Sequence, residues 1–275
     1  FLNPPTQYIT SLTGGFWIRT FYALPMKTNF RLFAVTMTLL SASLAGCLGG
    51  DDENEGYSGP IDLIVFYDST SGTVETSTNN GQAGPTTGVE LSFDFADTTS
   101  DDGSITKIML DPDDGSDPVE GDPADDAVIS YTWLTHGVFE TTLTAEDEDG
   151  NSHSIEVVVR IDMFMTWSET NTLSASMSFD ATPDCEDGQP LADRITVTST
   201  VENPGGIPFQ GANADVTWSY KNPDGEEVGS DSGTIAGGGS ESWDDTTRDV
   251  MIGDWTLDVE VTNDENVNAV SYTHL

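Results

Sequence analysis

The sequence predicts an all-β chain: two tandem β-sandwiches behind a cleavable N-terminal leader. Three observations carry this. Apolar and polar residues alternate with period two in stretch after stretch between Val89 and Val261, as strands wet on one face require. Clusters of Asn, Asp, Gly and Pro punctuate those stretches at turn spacing. No window beyond the leader has the 3.6-residue apolar spacing of a helix. Counted from Cys47, 229 of the 275 residues remain, enough for two sandwich cores of about 100 residues each.

Residues 1–25 contain no acid and do not begin with Met. They are expected to be upstream sequence outside the protein proper, with Met26 as the start. Residues 26–46 then read as a signal peptide. Lys27 and Arg31 supply a cationic start, Leu32–Leu44 an apolar run broken only by Thr and Ser, and Leu44, Ala45 and Gly46 the small-residue exit before Cys47. The apolar run is shorter than the roughly 20 residues a spanning helix needs. Leu44-Ala45-Gly46-Cys47 resembles the lipobox of prokaryotic lipoproteins. That resemblance implies cleavage before Cys47, a lipid on its thiol, and a membrane-anchored chain on the extracellular face. Residues 47–60 are Gly- and acid-rich with hardly an apolar side chain. They cannot bury a core and read as a flexible tether.

The first sandwich is expected over 61–162. Ile61–Tyr67 is a mostly apolar run that suits a first strand, and Asn79-Asn80-Gly81 and Gly84-Pro85 mark turns. Val89, Leu91, Phe93 and Phe95 alternate with polar residues, as do Phe139, Thr141, Leu143 and Ala145, and then Ile155, Val157, Val159 and Ile161. Asp149-Gly150 between the last two is a hairpin signal.

Phe93–Ile161 resembles a PKD domain, an immunoglobulin-like sandwich common on microbial surfaces. The resemblance lies in the acidic Gly turn Ser100–Ile105, in Ser130-Tyr131, and in Gly137, Phe139 and Thr141–Asn151. Leu110-Asp111-Pro112-Asp113-Asp114-Gly115 sits where the family usually reads Trp-Asp-Phe-Gly-Asp-Gly, departing at Leu110, Pro112 and Asp113. The fold it implies is an immunoglobulin-like β-sandwich.

The second sandwich is expected over 163–269, with Asp162–Ser168 as the junction. Leu173, Ala175, Met177 and Phe179 alternate, followed by Ile195–Val201, Val216–Tyr220 and Trp255–Val261. Asn203-Pro204-Gly205-Gly206, Asn222-Pro223-Asp224-Gly225 and Gly237-Gly238-Gly239 are the turns between them. Ile195–Gly206 is similar to the opening of the adhesion-type modules called CARDB, which implies a second immunoglobulin-like sandwich. Residues 270–275, Val-Ser-Tyr-Thr-His-Leu, match one reading frame of a transposon end used in sequencing libraries. They are expected to be adapter-derived, with genuine sequence ending near Ala269 and room for a missing C-terminal domain; the competing reading is an ordinary β-strand, which the residue types also suit.

No Asp or Glu precedes Cys47 and three of the eight basic residues do, so 48 acids face five bases after the leader, a net charge of −43. Such a surface repels nucleic acid and anionic headgroups, which excludes a nucleic-acid partner. The acids are spread along the whole chain and Lys is nearly absent. That favours adaptation to a salty solvent over dedicated Ca²⁺ binding, and the composition resembles that of archaeal secreted proteins. With Cys47 lipidated, two cysteines make no disulfide framework. Cys185 sits among Asp184, Glu186 and Asp187 and reads as an unreactive thiol.

Candidate chemistry is sparse. Asp111–Asp126 carries eight carboxylates. As an EF-hand starting at Asp111, however, it puts Gly115 at a ligand position and Ser116 where Gly is required. A looser Ca²⁺ site would draw on Asp111, Asp114 and Asp117, or on Asp147 and Asp149; the competing reading is a solvated acidic loop. His136, His153 and His274 lie near no nucleophile motif, and no Gly-x-Ser-x-Gly, His-Glu-x-x-His or Cys-x-x-Cys is present. Trp218 and Trp255 fall in alternating stretches and are expected in the core. Trp243, between Ser242 and Asp244, is the candidate ligand-facing aromatic.

The expected function is therefore non-catalytic: an adhesion, spacer or ligand-presenting module with a protein or polysaccharide ligand. Two rivals stand beside it: the stalk of a longer surface enzyme or solute-binding receptor, and a Ca²⁺-dependent surface assembly protein.

Overall fold

The computed structural model describes residues 57–185, 190–205 and 211–275. The leader and the lipobox residues Leu44, Ala45, Gly46 and Cys47 lie outside the described residues. Every regular element described is a strand. The first half contains β1 (Ile61–Asp62), β2 (Ser71–Asn79), β3 (Gln82–Ala83), β4 (Val89–Asp94), β5 (Thr99–Ser100), β6 (Ile105–Asp111), β7 (Val119–Gly121), β8 (Val128–Trp133) and β9 (Gly137–Asp147). A strand of 21 residues, β10 (Ser152–Thr172), follows. The second half contains β11 (Ser174–Asp180), β12 (Ile195–Glu202), β13 (Ala214–Lys221), β14 (Glu227–Ile235), β15 (Ser240–Thr247), β16 (Asp254–Val261) and β17 (Val267–His274).

In the first sandwich β4 pairs with β8 and β1 with β5, opposite the layer β7-β6-β9-β10-β2. Leu91, Phe93, Ile129 and Trp133 from one side meet Ile108, Leu110, Phe139, Leu143 and Val159 from the other. In the second, β11-β16-β13-β14 faces β15-β12-β17-β10. Met177, Trp218, Tyr220, Trp255 and Leu257 there pack against Ile195, Val197, Val201, Val267 and Ala269. One polar link crosses this core. The Trp218 indole N–H donates to Ser199 Oγ at 3.0 Å, and Ser271 Oγ donates to the same oxygen at 3.0 Å. Val270–Leu275, read from sequence as adapter-derived, complete β17 and its end, with Ser271 and Thr273 buried between β10 and β12.

The two sandwiches are joined by β10 itself. Residues Ser152–Ile161 pair antiparallel with β9, Phe164–Thr172 antiparallel with β17, and Arg160–Ser168 parallel with β2. A strand has two edges. Because β2 overlaps both antiparallel partners, β9 and β17 must share the other edge, end to end. At about 3.3 Å per residue, β10 runs roughly 70 Å through both layers. The expected junction at Asp162–Ser168 is thus no linker, although the two cores do divide near it. The cause is legible in the side chains. Ile155, Val157, Val159, Ile161, Met163, Met165 and Trp167 form one unbroken period-two series, so nothing stops the strand.

Turn chemistry behaves as its residues require. Asn80 and Gly81, at φ 46° and 71°, make the two-residue β2–β3 connection, and Gly150 at φ 82° closes the β9–β10 hairpin. Two stretches differ from expectation. Of Ile61–Tyr67 only the first two residues form a strand, and Phe66 is 54 % exposed. Leu173, expected in the core series, is 41 % exposed, because Asn171 at φ 56° breaks the pattern between β10 and β11.

Candidate functional site

The acidic loop is built from Asx turns. Asp111 Oδ1 accepts the Asp113 amide at 3.2 Å, Asp114 Oδ1 that of Ser116 at 3.0 Å, and Asp122 Oδ1 that of Ala124 at 2.9 Å. The loop is also tied to its neighbours. Tyr131 on β8 donates its hydroxyl to Asp114 Oδ2 at 2.5 Å, the Trp133 indole N–H donates to the Pro112 carbonyl at 3.4 Å, and Asp113 Oδ2 accepts the Glu140 amide at 2.7 Å. Burial, then the Asp114 bond, holds the Tyr131 pKa above the usual phenol value. Asp113 stands where the PKD pattern has Gly, and its φ of 62° is left-handed, a conformation Asp tolerates better than most residues.

The five carboxylates proposed from sequence for Ca²⁺ are not brought together. Among the described residues no group of three His, Cys, Asp or Glu side chains is placed to hold a metal ion. Asp111 and Asp114 are engaged as above. Asp147, 2 % exposed, accepts Ser100 Oγ at 2.7 Å, the Asp149 and Asn151 amides at 3.1 and 2.9 Å, and the Asn151 side-chain amide. Its donors are protein N–H and O–H groups, so it organises the β9–β10 hairpin.

Those bonds, the Asn151 side chain first, hold the Asp147 carboxyl below its ordinary pKa. A pKa lower in the folded than in the unfolded chain stabilises the fold above the unfolded value of about 3.9, and that contribution fades as pH falls through the lowered value. Asp147→Asn is therefore expected to be clearly less stable than the parent near neutral pH. The gap should narrow below about pH 4, as read by denaturant midpoints across a pH series.

Trp243 is corrected by the structure. It is 9 % exposed and belongs to the second core, its ring 6.3 Å from that of Tyr220. Its Ser and Asp neighbours point outward because β15 alternates, so polar flanks mark a strand rather than an exposed aromatic. His153 does not face solvent alone. Its ring stacks on Tyr57 at 3.7 Å and 4°, with Nδ1 3.1 Å from the Ile61 carbonyl, which ties Tyr57 to the first sandwich.

What the structure does assemble lies where the sandwiches meet. Thr76 of β2, Leu134 and His136 before β9, Met163 and Met165 in mid-β10, and the segment 180–184 after β11 line a cavity of ≈ 370 Å³. The Asp184 amide donates to the His136 carbonyl at 3.0 Å, and Cys185 reaches into the first core, which docks the segment. Burial lowers the His136 pKa, against the pull of the Ala181 carbonyl and of Asp180, Asp184 and Asp162. Among the described residues, His136 Nε2 and Thr76 Oγ1 are both buried without a hydrogen-bond partner. Each such atom costs on the order of 1–3 kcal/mol. Sequence reading missed this site because its residues are far apart along the chain and form no motif.

Two sandwiches of paired, mostly antiparallel layers sharing one strand define an all-β, immunoglobulin-like protein. Residues 76–162 match the PKD domain, from within β2 to the middle of β10, and the first sandwich is accordingly a PKD-like immunoglobulin fold. No curated protein matches the chain. Among solved structures, the chain is similar to one of carbohydrate-binding modules from the β-sandwich superfamily. That match has 15 % identity and a TM-score of 0.30, and covers 79 % of this chain and 97 % of that one. It is also similar to the structure of the M60 catalytic domain with two CBM51 domains from Clostridium perfringens ZmpB. There the identity is 12 % and the TM-score 0.26, with 76 % of this chain and 30 % of that one covered. A third is tripeptidyl peptidase 2, at 8 % identity and a TM-score of 0.26, covering 78 % of this chain and 20 % of that one.

Proposed function

We propose that this is a non-catalytic surface module. A lipid on Cys47 holds it to the membrane, the acidic tether lifts it clear, and two coupled sandwiches present a ligand-binding face outward. The observation that supports this most is β10. A strand shared by both cores and bracketed by β2 across the junction keeps the sandwiches from swinging, as a spacer or presenting arm requires. The PKD match supports a module of this kind. The net charge of −43 after Cys47 is in keeping with a surface that stays off anionic headgroups and nucleic acid. The test is fractionation of a prokaryotic host expressing the full chain or Cys47→Ser. The parent should sediment with membranes and be cleaved by protease added to intact cells. Cys47→Ser should leave the membrane fraction while melting at the same temperature. Identical fractionation of the two, or protection of the parent on intact cells, would refute the reading.

A further inference from the structure

We propose that the free edge of β11 takes up one extended strand from a partner protein, cationic at its ends and apolar on one face. The inference rests on the reading of the chain as a non-catalytic presenting module and names the class of partner.

β11 ends its sheet and pairs with β16 alone. The Val261 amide donates to the Leu173 carbonyl at 2.9 Å, and that of Ala181 to the Gly253 carbonyl at 3.1 Å. Antiparallel bonding alternates along a strand. Ala175, Met177 and Phe179 therefore bond β16, while the N–H and C=O of Ser176 and Ser178 point to the side that carries no strand. Sheet edges are ordinarily blunted by charge, bulges or short strands. Those of β14, β15 and β7 are. β14 carries Glu227, Asp231 and a register shift opposite Tyr220–Lys221, β15 carries Glu241, Asp244 and Asp245, and β7 has three residues. β11 instead keeps one register throughout, and Thr170–Phe179 holds no charged side chain in a chain with 48 acids.

The space beside that edge is one strand wide. Leu173 alone connects β10 to β11, which folds β11 over β10, while β2 carries the facing layer one strand further. Thr76 and Thr78 of β2 pair with Met165 and Trp167 and so share their inward face. No strand of the four-stranded layer lies beyond β11 to cover them, and the junction cavity of ≈ 370 Å³ opens at the Asp180 end of this slot. That width decides the occupant. A second copy adding its β11 antiparallel would bring its own β10 into the place of β2. The chain's own residues 47–56 carry four acids and lead into Tyr57, which stacks on His153, roughly 33 Å along β10 from Met163. Fully extended they span only about 35 Å, too little to run along the edge. Asp180 pairs with Asp254 at one end of β11, and Glu260 opposes Ser174 at the other. Charge complementarity then selects a segment with Lys or Arg at its ends.

The experiment is NMR on the full chain, following the Ser176 and Ser178 amides. The peptide Lys-Val-Thr-Val-Thr-Val-Lys, matched to β11 in length, is titrated to millimolar levels, with its Glu-ended counterpart in a separate arm. A saturable shift of both amides by the Lys-ended peptide, and several-fold weaker binding of the other, is the expected result. Ser176→Pro should abolish the shift at Ser178 while melting close to the parent, because the lost N–H lies outside the β16 ladder. The Lys-ended peptide N-methylated at every Val and Thr, which leaves the protein untouched, should not bind. No saturation by the Lys-ended peptide, or equal affinity in Ser176→Pro or with N-methylation, would overturn the site. Equal affinity for the two charged forms would overturn the cationic partner. Shifts of both amides with protein concentration alone, with a doubled mass in sedimentation, would give the edge to a second copy and overturn the partner strand. Each failure leaves the surface reading standing, since that one falls only with the Cys47→Ser and protease results.

Discussion

Trp218→Ala should lower the unfolding free energy by about 3–5 kcal/mol, the cost of truncating a large buried aromatic. Trp218 is 1 % exposed, in the second core that also holds Met177, Trp255 and Val197. Its indole N–H also anchors the buried chain Trp218–Ser199–Ser271 across the two layers. Alanine opens a cavity that three strands would have to collapse to fill, and it leaves Ser199 Oγ without its N–H donor. Trp218→Phe keeps most of the volume and loses only that bond, so it should cost about 1–2 kcal/mol. Denaturant titrations of the two variants against the parent separate the packing contribution from the polar one. Equal losses would mean that the hydrogen bond, not the ring, holds the site.

Thr166→Pro should destabilise the chain by about 3 kcal/mol or more. Thr166 pairs with Tyr272 of β17 on one edge of β10 and with Ser77 of β2 on the other. Because both edges are occupied, its N–H serves one neighbour or the other whichever way it points, and proline removes that bond and sets a ring against the adjoining strand. Pro at an exposed loop position whose N–H carries no ladder bond should cost far less. A mild effect at position 166 would place β10 at an edge and contradict its double pairing.

Much of this architecture was legible in the chain. Phe139–Ala145, Ile155–Ile161, Ala175–Phe179, Ile195–Val201 and Trp255–Val259 alternate cleanly, and each is a strand with those side chains turned inward or into the core. Asn80-Gly81 and Asp149-Gly150 turn where their φ freedom lets them. Several strands escaped, β6, β8 and β17 among them, and in β2, β14 and β15 the reason is plain, because polar residues on both faces strip the pattern from them. Ser71–Asn79 has one fully buried side chain, Val74, and Glu227–Ile235 has one, Ile235. With polar residues on both faces, only pairing reveals a strand. The length of β10 was also underread, although Met163, Met165 and Trp167 continue its alternation. Of the sites, the acidic loop was located but its role was not. Local backbone amides, invisible to residue counting, engage the carboxylates first. The junction cavity had no local signature, since parallel pairing of β2 with β10 is a contact between residues about 90 apart.

The shared strand is the central claim, and equilibrium denaturation of the parent and Trp218→Phe, followed residue by residue through amide exchange, tests it most directly. If β10 couples the cores, the amides of Phe139–Ala145 in the first sandwich and those of Trp255–Val259 in the second lose protection at one denaturant concentration. The substitution in the second core then lowers that midpoint for both groups alike. Two midpoints, with the Phe139–Ala145 group unmoved by the change at Trp218, would mean that the sandwiches unfold independently and that β10 does not couple them.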